Sequence, residues 1–121
     1  MKLHEFAKLN REQCFYAIKN GEFEPAITES AKRVAVVLTQ AWCPQWFIMK
    51  NWIAEESAKL GARLFYIEYD KENFYEEFMS WKENNFNNRQ IPYIRYYLDG
   101  KCVAESNFLG RGGFIRMLGG Q

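Results

Sequence analysis

The chain of 121 residues has a single histidine, three cysteines, no block of like charge and no long apolar run, and each shortage removes a class of function. Sixteen basic against fifteen acidic residues leave a net charge of +1. The field that a phosphate backbone rewards is therefore missing, and nucleic acid is not an expected partner. No apolar stretch approaches the roughly 18 residues that a membrane span needs, and the start, "MKLHEFAKLNREQ", is polar and charged within a few residues. A cytoplasmic protein without a membrane partner is the expectation. The cysteines, at positions 14, 43 and 102, are odd in number and far apart, which fits neither a disulfide framework nor a zinc site with paired ligands. They read as free thiols, with no metal. His4 stands near a terminus without a partner in sequence and is assigned no role. Repeats, low-complexity tracts and linkers are also missing, so residues 1–121 read as one domain.

Aromatic residues, by contrast, are plentiful: 17% of the chain, with four tryptophans and seven tyrosines, within a hydrophobic content of 48%. A soluble globular domain is implied, with some of its rings near the surface. Asn10 with Gln13 three places later predicts a capping box opening a helix through "REQCFYAIKN", and Asn20-Gly21 predicts its end. Cys14, Phe15 and Ile18 share one face of it. The segment "EFEPAITESAK" reads equally as a short helix or as an irregular approach to the sheet, because Pro25 suits either. "RVAVVLT" is continuously apolar and β-branched, the pattern of a central strand buried on both faces.

After this strand comes "TQAWCPQWF". Pro44 suits the first helical position, and the chain then runs to Gly61 without a breaker. One helix of about four turns is predicted, with Trp46, Met49, Ile53, Ser57 and Leu60 as its inward stripe. "ARLFYIEYD" reads as a second strand. "ENFYEEFMSWKEN" reads as a helix with Phe74, Phe78 and Trp81 on one face and Asp70 as a cap before it. "QIPYIRYYLDGKCVAES" predicts a hairpin turning at Asp99-Gly100. A short helix from about Gly112 to Leu118 closes the chain.

The order helix, strand, helix, strand, helix, hairpin, helix, with Trp42-Cys43-Pro44 at the first strand-to-helix turn, resembles the thioredoxin-like superfamily from roughly Val34 to Leu118. Ile91-Pro92 stands where that family has its cis-proline before the hairpin, and Gly110 where a glycine precedes its last helix. The resemblance implies an α/β fold, a central mixed β-sheet flanked by helices. It also implies that Cys43 is the reactive thiol and that Trp42, Pro44, Trp46, Ile91, Pro92 and Tyr93 form the substrate-binding surface. A cysteine at a helix start meets unpaired N–H groups and the positive end of the dipole, which favour thiolate over thiol; the apolar neighbours Trp42 and Trp46 oppose this.

Two departures from the family pattern agree with each other. The resolving cysteine is replaced by Trp46, so no second thiol is held beside Cys43 to clear a mixed disulfide. The buried aspartate expected six residues before the cysteine is Val37, and a proton acceptor has no task once its thiol is gone. A monothiol oxidoreductase acting through Cys43 is the first expectation. It needs no resident cofactor, and an external low-molecular-weight thiol would release the adduct formed with a protein or small-molecule thiol or disulfide. The second expectation is a non-enzymatic binding or redox-sensing module with an aromatic docking surface around Trp42, Trp46 and Pro92, where Trp46 is expected at least partly exposed. A cluster-binding monothiol site is disfavoured, because Pro44 and Trp46 crowd the sulfur. Cys14 and Cys102 read as inert small hydrophobes.

Overall fold

The computed structural model describes residues 6–119, so His4 lies outside the described residues. In chain order these form strand β1 (Phe6–Lys8), helices α1 (Arg11–Asn20) and α2 (Pro25–Thr28), strand β2 (Arg33–Thr39), helices α3 (Pro44–Lys50) and α4 (Ile53–Lys59) and strand β3 (Arg63–Glu68). A 3-10 turn (Tyr69–Lys71), helix α5 (Tyr75–Asn85), strands β4 (Tyr93–Leu98) and β5 (Lys101–Ser106) and helix α6 (Arg111–Gly119) complete the chain. The sheet is mixed, in the order β1-β3-β2-β4-β5. β1 and β2 run parallel to β3, whereas β4 is antiparallel to both β2 and β5.

β2 lies at the centre because its residues from Val34 onward can all be buried, which an apolar β-branched run tolerates on both faces at once. Alternation along it divides the core. Val34, Val36 and Leu38 face one side, with Cys14 and Ala17 of α1 and Phe78 of α5. Ala35 and Val37 face the other, with Trp46 and Met49 of α3, Ile53 of α4 and Phe114 of α6. The two-residue connection between β4 and β5 requires positive φ at both positions, and Asp99 (51°) and Gly100 (85°) supply it. A Cβ on Gly100 would also lie 2.8 Å from Cγ of Glu29. The capping box of α1 forms in both directions, Asn10 accepting from the Gln13 amide and the Gln13 side chain accepting from the Asn10 amide. The ambiguous segment at Pro25 is a one-turn helix.

Two expectations are corrected. The first element is β1, not a helix: Phe6, Ala7 and Lys8 pair with Leu64, Phe65 and Tyr66. Three residues are too few to show an alternation, and their order comes from backbone pairing to a strand far along the chain. The long helix after Cys43 is two helices. Asn51 remains helical, but Trp52 turns to φ −137° and starts α4. The break lets the Trp52 ring pack edge-on against Phe114 of α6 at 5.7 Å, while the inward stripe of Trp46, Met49, Ile53 and Ser57 stays buried.

Beyond the apolar packing, one polar group ties β4 to the chain's first half. The Arg95 guanidinium, 9% exposed, donates to the hydroxyls of Tyr93 and Tyr97 at 2.9 Å each and to Glu22 at 2.6 Å. Tyr93 and Tyr97 pass the network on by donating to Glu105 and Glu22. Arg95→Met takes the donor from the buried Tyr93 and Tyr97 hydroxyls and the cation from two largely solvated carboxylates, and urea denaturation is expected to show a loss of about 1–2 kcal/mol. The half-exposed Glu105, changed to Gln, is expected to cost less than about 1 kcal/mol.

Candidate functional site

Cys43 is the residue at which β2's exit loop becomes α3. It caps the helix in extended conformation (φ −69°, ψ 118°), with Pro44 at the first helical position, where a missing N–H is no loss. Its carbonyl accepts from the Phe47 amide at 3.0 Å. The residue is 4% exposed, and its sulfur lies 3.8 Å from the Ile91 carbonyl, toward which the S–H donates. The Ile91-Pro92 peptide is cis. A residue that follows β2 and one in the segment before β4, separated by nearly half the chain, are thereby brought to one point at the end of the sheet.

The loop that delivers Cys43 is held by polar side chains. Asp70, which the sequence suggests as a helix cap, instead accepts from the Ala41 amide at 2.7 Å, and α5 begins at Tyr75 without a side-chain cap. The largely buried Gln40 accepts from the Trp42 indole at 2.6 Å and from the Tyr75 hydroxyl at 3.2 Å. Trp42 is thus fixed at its N–H while its ring remains 66% exposed. Phe47 at 69% and Ile48 at 50% continue an apolar rim on α3, with Pro44 also exposed and Ile91 half-buried. Phe47 and Ile48 are not among the residues expected at the site from the sequence. The helical period could have found them, because a stripe at 46, 49 and 53 that faces inward leaves 47 and 48 outward.

Trp46 is corrected by the same geometry. It is fully buried, and its indole N–H donates to Glu68 at 2.8 Å. Glu68, at the end of β3, also takes Lys50 at 2.9 Å and Lys71 at 3.4 Å. Burial pushes its carboxyl up, but the hydrogen bonds from Lys50 and Trp46 and the charge of Lys50 outweigh that and hold it below the usual value. Tyr93 is corrected too: it is fully buried and packs on the opposite side of the sheet with α1 and α5. Pro92 is buried as well. Neither Trp46 nor Tyr93 can touch a docked partner, so Trp42, Pro44 and Ile91 are the surface residues of the expected set. Val37 lies in the same apolar cluster as Cys43 and Trp46.

The other thiols are elsewhere. Cys14 is fully buried on α1, where burial pushes its thiol up to about 12, and Cys102 is half-buried on β5, raised by burial in the same way. Among the described residues there is no group of three or more metal-ligating side chains and no helix long and apolar enough to cross a membrane.

No protein-family model matches the sequence, and comparison with curated proteins finds no match. Solved structures do match. Thioredoxin O2 from Arabidopsis thaliana, in the oxidised state, superposes with a TM-score of 0.68 at 17% identity over 96% of this chain and 95% of its own. Mitochondrial thioredoxin 3 from Saccharomyces cerevisiae gives 0.68 at 9% identity, with the same coverage of 96% and 95%. A point mutant of thioredoxin from Halobacterium salinarum gives 0.65 at 12% identity, over 93% of this chain and 85% of its own. At these identities the likeness is one of fold, and the fold is that of thioredoxin.

Two outcomes are expected from substitutions at the site. Trp46→Cys places a second thiol in the motif but empties a buried indole's volume and removes the donor to Glu68; the fold is expected to lose about 3–5 kcal/mol in urea denaturation. The second concerns Lys82 of α5, a fully buried lysine whose ammonium donates to the Gln90 carbonyl at 2.6 Å and which burial lowers to about 8. The unfolded chain holds this proton up to pH 10.5, the folded one only to about 8. Stability is thus lowest below pH 8 and rises between the two values as the cation's burial penalty disappears. Measured against Lys82→Met, the unsubstituted protein is expected to gain stability from pH 7 to pH 10.5 in parallel urea titrations.

Proposed function

We propose that the protein is a one-thiol disulfide-exchange enzyme acting through Cys43. The observation that carries this reading is the pairing of Cys43 at the start of α3 with the Ile91 carbonyl 3.8 Å from its sulfur, beside a buried tryptophan that leaves no second thiol in the motif. The thiolate of Cys43 attacks one sulfur of a disulfide. A bond from Cys43 to that sulfur forms, the old sulfur–sulfur bond breaks, and the other sulfur leaves as thiolate with the electron pair. A low-molecular-weight thiol from solution, as its thiolate, then attacks the outer sulfur of the adduct: a bond to that sulfur forms, the bond to Cys43 breaks, and Cys43 leaves as thiolate with the electron pair. Cys43 ends as it began, one half of the substrate is released as a thiol, and the other half departs as a disulfide with the external thiol. Trp42, Pro44, Phe47 and Ile48 present an apolar rim on which a polypeptide carrying the disulfide rests. The proposed setting is the cytoplasm, where small thiols are abundant and structural disulfides rare.

A second reading has its own support: a cysteine only 4% exposed beside rings at 66% and 69% suits a docking surface in which Cys43 is a sensor or a bystander. The two readings part experimentally. With a mixed disulfide of a peptide and a small thiol as substrate, the enzyme accelerates exchange, Cys43→Ser abolishes it, and an adduct of one substrate thiol is seen by mass spectrometry on Cys43 alone. Insulin reduction by dithiothreitol is expected to be accelerated little, because nothing nearby clears the first adduct. Equal exchange rates for the protein and Cys43→Ser would leave the docking reading in possession; strong insulin reductase activity would overturn the one-thiol mechanism.

A further inference from the structure

Lys82 is fully buried, yet among the described residues no carboxylate forms a salt bridge with it. The neighbouring Glu83 is bound to Arg89 at 3.0 Å, and the ring of Tyr93, from β4, faces the ammonium at 5.5 Å. The Tyr93 hydroxyl is itself engaged by Arg95 and Glu105. A buried cation with a carbonyl and a ring for company destabilises the fold, and methionine would fill the same space at no such cost. What the ammonium does hold is the segment that carries Ile91.

That segment is gripped from two sides. Lys82 donates to the Gln90 carbonyl from α5, at 2.6 Å. Asn107, just past β5, donates to the same carbonyl at 3.4 Å and to the Pro92 carbonyl at 3.0 Å, and is itself braced by a reciprocal amide pair with Asn88. Ile91 lies between the two gripped carbonyls and packs against both apolar clusters, the one shared with α5 and the one containing Cys43. Its own carbonyl receives the Cys43 S–H.

We infer that Lys82, assisted by Asn107, is a positioning residue that holds the Ile91 segment against the Cys43 sulfur and so sets how readily that thiol is reached. The inference rests on Cys43 being the reacting thiol. The segment lies against the sulfur, which is only 4% exposed beneath it. Releasing it both frees and exposes Cys43. The lysine is placed on the α5 side of the sheet and the thiol on the α3 side, so the coupling passes through the segment at the sheet's end and not through a shared pocket.

The test is the second-order rate of iodoacetamide alkylation, followed cysteine by cysteine by mass spectrometry in the full chain. Lys82→Met is expected to raise the Cys43 rate about fivefold to tenfold at pH 7, the leverage of one charge-assisted hydrogen bond, while Cys14, buried in the cluster on the α5 side, stays slow. Lys82→Gln, which keeps a neutral donor, restores most of the restraint. An unchanged Cys43 rate in both variants overturns the inference, and so does a parallel rise at Cys43 and Cys14, which marks a general loosening of the core. Should Lys82→Met not fold, Asn107→Ala decides: it acts outside the core and must raise the Cys43 rate in the same direction, and no change counts against the clamp. An unsubstituted Cys43 that alkylates no faster than Cys102 speaks against the thiol-exchange reading, a result independent of the variant ratios.

Discussion

A buried indole N–H costs stability unless it meets an acceptor, and for the fully buried Trp46 the acceptor is Glu68. The rest of the site depends on that bond. It fastens the first turn of α3 to the end of β3, and the carboxylate is kept ionised by Lys50 from α3 and Lys71 from the following turn. Because Trp46 fills the volume three residues after Cys43, that volume cannot also hold a resolving thiol. The one-thiol character of the motif is therefore a packing constraint as much as a substitution. Reversing it at that position alone would leave a hollow and a carboxylate short of one donor.

Fixing Trp46 inward also determines the surface. On a helix the neighbours of an inward residue point out, and Phe47 and Ile48 do so beside the tethered Trp42. Within the rim the Trp42 ring is tethered, because Gln40 accepts from its indole and also from the Tyr75 hydroxyl. The entropy of ordering such a ring on contact has been met in advance by the fold, which favours either of the two functions weighed for this surface.

The parts of the molecule legible in the sequence were those specified locally. The capping box at Asn10 and Gln13, the Asp99-Gly100 turn and the buried run of β2 each depend on residues within a few positions of one another, and each forms where the pattern places it. The parts that were not legible depend on distant partners. β1 is ordered by pairing to β3, across half the chain, and its three residues carry no periodic signal. The helix break at Trp52 answers to Phe114 of α6, not to a glycine or proline nearby. Asp70 has the chemistry of a cap and the spacing of one, but the Ala41 amide reaches it first. The positions expected for Cys43, at a helix start, and for Ile91-Pro92, before the hairpin, are those the structure has, whereas Trp46 and Tyr93 point inward and not to the surface. The inward stripe already included Trp46, so its burial was implied by the period even though the docking-surface reading expected it partly exposed.

The placement of Tyr93 follows from strand geometry in the same way. Along β4, Tyr93, Arg95 and Tyr97 point to one side and Ile94 and Tyr96 to the other, so the residue after Pro92 is committed to the α1 and α5 side once Ile94 joins the cluster that holds Cys43. Ile91 sits just before this division and packs on both clusters, which makes it the point where the two sides of the sheet meet at the thiol. On the proposed clamp, a change in how α5 holds that segment reaches Cys43 through Ile91, which touches both clusters. In a site whose cysteine is 4% exposed, access to the sulfur is governed as much by the far side of the sheet as by the helix that carries it.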